Sequence, residues 1–196
     1  MVSKAITLDL TDRKSLMASL PKGGVGAEIG VAQGSFSLVL LDVCKPKHLY
    51  LIDPWEEQSD EVYSRDDPAN FPQATHDGNF RNVQSKFGSD PRVTILRAYS
   101  VEAADTFEDE YFDWVYIDAN HLQAGKDAAL WWPKVKSGGW LMGHDCTFIT
   151  DFITVKPDID RFVAERGLEL FVTRGDTDIY EKNYPSWAVQ KPQGAP

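Results

Sequence analysis

Short apolar runs alternate with amphipathic segments along most of this chain, and the alternation predicts strands separated by crossover helices. The first run covers residues 25–31 and closes on glycines; after the turn at Gly34, the apolar positions of 36–43 predict a helix. Residues 48–53 read as the next strand, ended by Pro54. A helix is expected over 80–87 with Gly88 as its cap, then a strand over 92–98 and a short helix over 101–107. Residues 111–118, dense in aromatic and β-branched side chains, predict a strong strand. A helix over 122–135 carries Leu130, Trp131 and Val135 on its apolar side, and Ser137-Gly138-Gly139 turns the chain into a strand over 140–144. A helix over 157–166 ended by Gly167, a strand over 168–173 and a last strand over 187–190 complete the pattern. This order predicts an α/β fold, Rossmann-like and doubly wound, with a mostly parallel seven-stranded sheet and helices on both faces. Such sheets bind ligands beyond the carboxyl ends of their strands.

The rhythm breaks at residues 54–79, which are rich in Asp, Glu, Pro and aromatic residues and show little periodicity. A stretch of that length inside a compact domain reads either as a lid over a substrate or as a solvated insertion. The 196 residues suffice for one domain with a full core, taken as 1–196 with a fraying tail at 190–196. No apolar run approaches the roughly 20 residues that cross a bilayer, and the charged N-terminus lacks the apolar stretch of a secretory signal. Cys44 and Cys146 belong to no Cys-x-x-Cys pair, which argues against a disulfide framework or zinc ribbon and makes a cytoplasmic location the expectation. Thirty acidic against 20 basic residues leave a net charge of −10, so a small molecule rather than nucleic acid or a membrane is the expected partner. Trp131 and Trp132 would suit either a homodimer face or the core.

The expected strand ends collect carboxylates. Glu28-Ile29-Gly30-Val31-Ala32-Gln33-Gly34-Ser35 ends the first, Asp53 the second, Asp118-Ala119-Asn120-His121 the fourth and Gly143-His144-Asp145-Cys146 the fifth, while Tyr99-Ser100 follows the third. Gly30 and Gly34 permit a tight turn and close approach to a ligand. The dinucleotide spacing Gly-x-Gly-x-x-Gly fails, because Ile29 stands where the third glycine would follow Gly24 and Gly26. The pattern reads instead as Glu-x-Gly-x-x-x-Gly, whose acid repels a pyrophosphate and suits an amine-bearing ligand. Asp53, roughly 20 residues past the loop, is placed to accept ribose hydroxyls, or else is a turn aspartate before Pro54. Asp118 and Asp145, ending adjacent strands, would repel one another, and a divalent cation between them would relieve the repulsion. His121 reads as a third ligand, a general base or a core histidine; beside two acids the base is preferred.

Together these residues resemble a known family. Glu28-Ile29-Gly30-Val31-Ala32-Gln33-Gly34 resembles motif I of class I S-adenosylmethionine-dependent methyltransferases, with Asp53 at the position of the ribose-binding acid. Tyr116-Ile117-Asp118-Ala119-Asn120-His121, Trp131-Trp132-Pro133-Lys134-Val135-Lys136-Ser137-Gly138-Gly139 and Gly143-His144-Asp145 look like the small bacterial methyltransferases of the "family 24" type, similar to the catechol and macrocin-type O-methyltransferases. The resemblance implies S-adenosylmethionine as cofactor, held by Glu28 near its ammonium, by Gly30 and Gly34, by Asp53 at the ribose, by Ser100 at the adenine and by Asp118. It also implies magnesium or a similar divalent cation at Asp118 and Asp145, with His121 at the place of a basic catalytic residue. Cys146 stands where the catechol group carries Asn after its second metal acid; a thiol is a poor magnesium ligand, so Asn120, His121 and His144 remain open as the third ligand. The Asn/Asp-Pro-Pro-Tyr/Phe motif of enzymes that methylate bases is not found. The implied activity is methyl transfer to a small-molecule hydroxyl, with Asp118 and His121 in the chemistry and Trp55, Tyr63 and Phe71 covering the acceptor. A metal-independent enzyme and a non-catalytic cofactor-binding protein are the alternatives on the same fold.

Overall fold

Strands that are apolar on both faces must be covered on both sides, and the central runs of this chain meet that condition. The computed structural model describes residues 7–59, 70–149, 153–176 and 182–194. Its elements are α1 (Arg13–Ala18), β1 (Val25–Ile29), α2 (Ser35–Val43), β2 (His48–Asp53), α3 (Gln73–Phe87), β3 (Val93–Arg97), α4 (Ser100–Ala104), β4 (Phe112–Ile117), α5 (Ala124–Trp131), β5 (Val135–Gly143), α6 (Val155–Arg166), β6 (Phe171–Val172) and β7 (Trp187–Gln190). The seven strands form one sheet in the order β3-β2-β1-β4-β5-β7-β6. Strands β1 to β5 pair in parallel, and β7 runs antiparallel to both β5 and β6. The fold is therefore the expected mostly parallel, doubly wound α/β sheet. Its strand order reverses between β1 and β4, where such sheets open a crevice.

Alternate residues of β4 feed two cores. Val115 and Ile117 join Ile29, Trp131 and Ile159 on one face of the sheet. Trp114 and Tyr116 join Leu40, Leu51 and Val83 on the other. The register then fixes the level at which the strands stop. Ile29 lies opposite both Ile52 and Ile117, and Ile117 lies opposite Gly143. Four loops therefore leave the sheet side by side, at Gly30, Asp53, Asp118 and His144.

Several boundaries differ from the sequence expectation. Helix α3 begins at Gln73 rather than at residue 80, so the irregular stretch after β2 is shorter than expected. Helix α5 ends at Trp131, because Pro133 offers no N–H and disfavours helical geometry just before it. Strand β5 starts at Val135 and runs through Ser137-Gly138-Gly139, which had read as a turn. A first helix, α1, is added, opened by Asp12, whose side chain accepts from the Ser15 amide. The chain is also held further toward its end than a tail fraying from residue 190 would be. Gln190 closes β7, and Lys191 is buried with Nζ donating to the Val135 carbonyl at 3.0 Å. Trp131 belongs to the core, and Trp132 packs on Phe162 at 5.5 Å between ring centroids. Among the described residues no helix is long and apolar enough to cross a membrane.

Candidate active site

The β1 loop turns because it contains glycine where nothing else fits. Gly30 has φ +87°, and a Cβ there would lie 1.9 Å from the carbonyl oxygen of Asp118. The ends of β1 and β4 can thus touch only with glycine at this position. Gly34, at φ +72°, starts α2, and a Cβ on it would meet the Phe87 ring at 2.7 Å. Gly34 thus serves the turn and helix packing.

Asp53 holds the same loop from the other side. Its Oδ2 accepts from the Val31 and Ala32 amides, each at 2.9 Å, and its Oδ1 accepts from the Trp55 amide at 2.6 Å. Burial pushes its carboxyl up from the usual range, while the three amides pull it down. Ala32, Trp55 and Asp145 all have left-handed backbone, at φ 47°, 44° and 53°. A residue with a Cβ is disfavoured there by roughly 1–2 kcal/mol. These three positions lie in three different loops of one sheet edge, while Lys45 and Glu110, at φ 46° and 56°, adopt the same backbone ahead of β2 and β4 at the other edge.

Between these loops lies a cavity walled in part by Gly30, Asp53, Ser100, Asp118 and Asn120. A second, smaller hollow shares Asp118 and Asn120 and reaches His121, His144 and Asp145. The structure thus gathers Gly30, Asp53, Ser100, Asp118, His121 and Asp145 on one edge, as their strand-end positions required. Glu28 and Gly34 line neither hollow. Glu28, 2% exposed, sits beneath the loop and accepts a hydrogen bond from the Ser37 hydroxyl. Burial pushes its carboxyl up to about 8 despite that bond. The Ser100 hydroxyl donates to Asp127 Oδ1 at 2.5 Å and accepts from the Trp131 indole at 2.9 Å, so it is engaged by the scaffold.

The second cluster is titratable throughout. His121 Nε2 lies 2.9 Å from Asp145 Oδ2, and His144 Nδ1 lies 3.1 Å from Asp145 Oδ1 and 4.0 Å from Asp118 Oδ2. Burial works to raise the Asp145 carboxyl, but the hydrogen bonds from His121 and His144 win and hold it well below the usual range. Asp118 goes the other way: burial, with Asp145 beside it, pushes it up against the pull of His144, His121 and Arg13. His144 is raised, because the two carboxylates outweigh its burial. One ligand atom from each of Asp118, His121 and Asp145 lies within 4.8 Å of the other two, a spacing that one cation can bridge. The donors are hard oxygens and one imidazole nitrogen, which suit a divalent ion. Cys146 is buried and its thiol is pushed up to about 12, so it offers no thiolate.

Sequence reasoning missed Arg13. Its guanidinium lies 3.9 Å from Asp118 Oδ2 and 4.6 Å from the Phe36 ring centroid. The available signal was Asp12, a helix-capping residue just before it. His76 and Asn79 of α3 were missed as cavity residues too. Of the three aromatic residues expected to cover an acceptor, Tyr63 lies outside the described residues and Phe71 lines the cavity. Trp55 is instead fully buried: its indole N–H donates to the Ala32 carbonyl at 2.8 Å and its ring lies 4.9 Å from Phe80. It braces the β1 loop from within the core.

The model of a methyltransferase domain family matches residues 27–146. Among solved structures, a protein from Corynebacterium glutamicum is 17% identical with a TM-score of 0.63, over 96% of this chain and 85% of that one. A protein from Staphylococcus aureus assigned as a caffeoyl-CoA O-methyltransferase is 16% identical with a TM-score of 0.61, over 97% and 85%. A precorrin-6y C5,15-methyltransferase from Geobacter metallireducens is 17% identical with a TM-score of 0.60, over 90% and 84%. At these identities the likeness speaks to the fold alone. No curated protein matches the chain.

Proposed function

The chain belongs to this methyltransferase family, of the class I S-adenosylmethionine-dependent kind, and we propose that it methylates a hydroxyl of a small molecule with the help of a divalent cation. The observation that carries the reading is the junction at Asp118–Asn120. There the cavity bounded by Gly30 and Asp53 meets the cluster of Asp118, His121 and Asp145. One hollow suits a cofactor, the other the chemistry, and the two share a wall.

S-adenosylmethionine supplies a methyl group on a sulfonium that is already a good leaving group, so the protein's task is to align and deprotonate the acceptor. Asp53 would take the ribose and the Gly30 loop and Ser100 would bound the rest, while Glu28, buried beneath the loop on Ser37, would act on the ammonium only through the loop. Asp118 and Asp145 would hold the cation, which supplies Lewis-acid lowering of the acceptor's hydroxyl pKa. With Asp145 accepting from His121 Nε2, Nδ1 would be the ring nitrogen that takes a proton. His121 would take the acceptor's hydroxyl proton there, leaving the oxygen to receive the methyl group while the sulfonium sulfur would keep the bonding pair. The fold neighbours include enzymes named for oxygen and for carbon methylation. The imidazole held by a carboxylate is what favours a hydroxyl here.

A metal-free version has its own support. Arg13 and His144 stand within 4.0 Å of Asp118 and neutralise part of the charge a cation would otherwise be needed for. The deciding experiment follows S-adenosylhomocysteine release over a panel of small hydroxyl compounds. Turnover that stops in excess EDTA and returns with magnesium or manganese supports the metal-assisted reading. Full activity in EDTA assigns the metal-free one. Cofactor binding with no turnover on any acceptor would leave only a binding protein.

A further inference from the structure

Helix α3 carries two side chains that the mechanism above does not use. His76 and Asn79 stand three residues apart, so they share one face of the helix, and both line the cavity that Asp53 also walls. Asn79 is 7% exposed. Its Nδ2 and the His76 Nε2 are both buried and have no hydrogen-bond partner among the described residues. Protein interiors rarely leave such atoms unpaired. Two of them on one helix face, against one cavity, point to a ligand that supplies the missing partners.

The chemistry of the three groups narrows that ligand. Asn79 Nδ2 can only donate, so it needs an acceptor. His76 Nε2 donates or accepts according to its tautomer. Asp53, which the His76 imidazole is close enough to influence electrostatically, already accepts three backbone amides and has acceptor capacity left for one further donor. A phosphate or carboxylate would meet repulsion from Asp53, and an ammonium could not accept from Asn79. A pair of neighbouring hydroxyls satisfies all three groups at once, because each hydroxyl both donates and accepts.

We propose that His76 and Asn79 of α3 close over Asp53 as a three-sided clasp for the ribose hydroxyls of S-adenosylmethionine. The assignment rests on the cofactor reading above, and deepens it by adding α3 as the far wall of the nucleoside site. It also gives the segment after β2 a function through its helical end.

The test is calorimetric titration of S-adenosylhomocysteine and its 2′-deoxy and 3′-deoxy analogues into wild type, Asn79→Leu and His76→Ala. Each variant is expected to weaken S-adenosylhomocysteine binding about tenfold, the loss of roughly one hydrogen bond to a buried group. Wild type should discriminate against at least one deoxy analogue, and a variant should lose part of that discrimination. Free Asn79→Leu should melt no lower than wild type, since its deleted nitrogen had no partner to lose, whereas His76→Ala also loses the ring contact with Phe71 and is read by affinity alone. Affinity within twofold of wild type in both variants would overturn the clasp. So would undiminished discrimination, or, in Asn79→Leu, a loss of affinity matched by a fall in melting temperature. If wild type itself binds no S-adenosylhomocysteine, the cofactor reading fails first and takes the clasp with it.

Discussion

Where β4 and β5 begin, Asp113 accepts from the Val25 amide at 2.7 Å and from Lys136 Nζ at 3.0 Å, while Lys134 reaches Asp109 at 2.8 Å. The Asp113 and Lys136 side chains are each 41% exposed. At the opposite edge, where β2, β4 and β5 end, Asp53, Asp118 and Asp145 are crowded by backbone amides, histidines and one another. There burial pushes Glu28, Asp53 and Asp118 upward. The first arrangement has lysine partners and solvent, and serves the fold. The second keeps acids close together in a partly dry place, supported by three strained loop residues. A sequence selected for stability alone would not gather them so, and perturbed carboxyls in a crevice are a mark of chemistry.

Substitutions can break this contrast. The largest effect is expected from His121→Ala, which should lower kcat by about 10²-fold or more while leaving S-adenosylhomocysteine affinity unchanged. Unchanged turnover would remove His121 from proton transfer. Asp127→Asn should come next, read as stability. Burial pushes the Asp127 carboxyl from 3.8 up to about 6, against the hydrogen bond from Ser100. The folded protein therefore holds this proton more tightly than the unfolded chain does. The associated stability is full below about pH 4 and is lost as pH rises through about 6. Asn keeps an oxygen for Ser100 and has no proton to lose. It should raise the melting temperature at pH 7, by an amount worth at most a few kcal/mol, and the gain should fade toward pH 4. A gain independent of pH would contradict the assignment. Asp113→Asn, at the opposite end of the sheet, should cost about 1 kcal/mol of stability or less and leave turnover untouched.

Much of the fold was legible because strands buried on both faces announce themselves. The runs at β1, β2 and β4 are nearly continuous apolar sequence, and each ends in the glycine or acid that marks the site. The start of α3 was not legible. Gln73, Thr75, His76, Asp77 and Gly78 precede its first aromatic residue, Phe80, so no apolar stripe signals the helix. The end of α5 could have been read from Pro133. Within the site, Gly30, Asp53, Asp118, His121 and Asp145 could be found because strand ends are predictable places. His76 and Asn79 could not, and for Arg13 the capping residue Asp12 marked only a helix start, since their relation to the site exists only once α1 and α3 have packed on the sheet. The single hydrogen-bonding role of Asp145, shared between two histidines, likewise depends on a left-handed residue that no local pattern marks.

The contrast between the two ends of the sheet can be put into one titration. S-adenosylhomocysteine is titrated calorimetrically into wild type, Asp53→Asn and Asp113→Asn under identical conditions, with melting temperatures recorded for each. Wild type and Asp113→Asn should bind alike, and Asp53→Asn should bind about tenfold more weakly or worse, because it loses a charged acceptor for the ribose. No binding to wild type, or equal losses in the two variants, would contradict the assignment of the strand-end edge as the cofactor site.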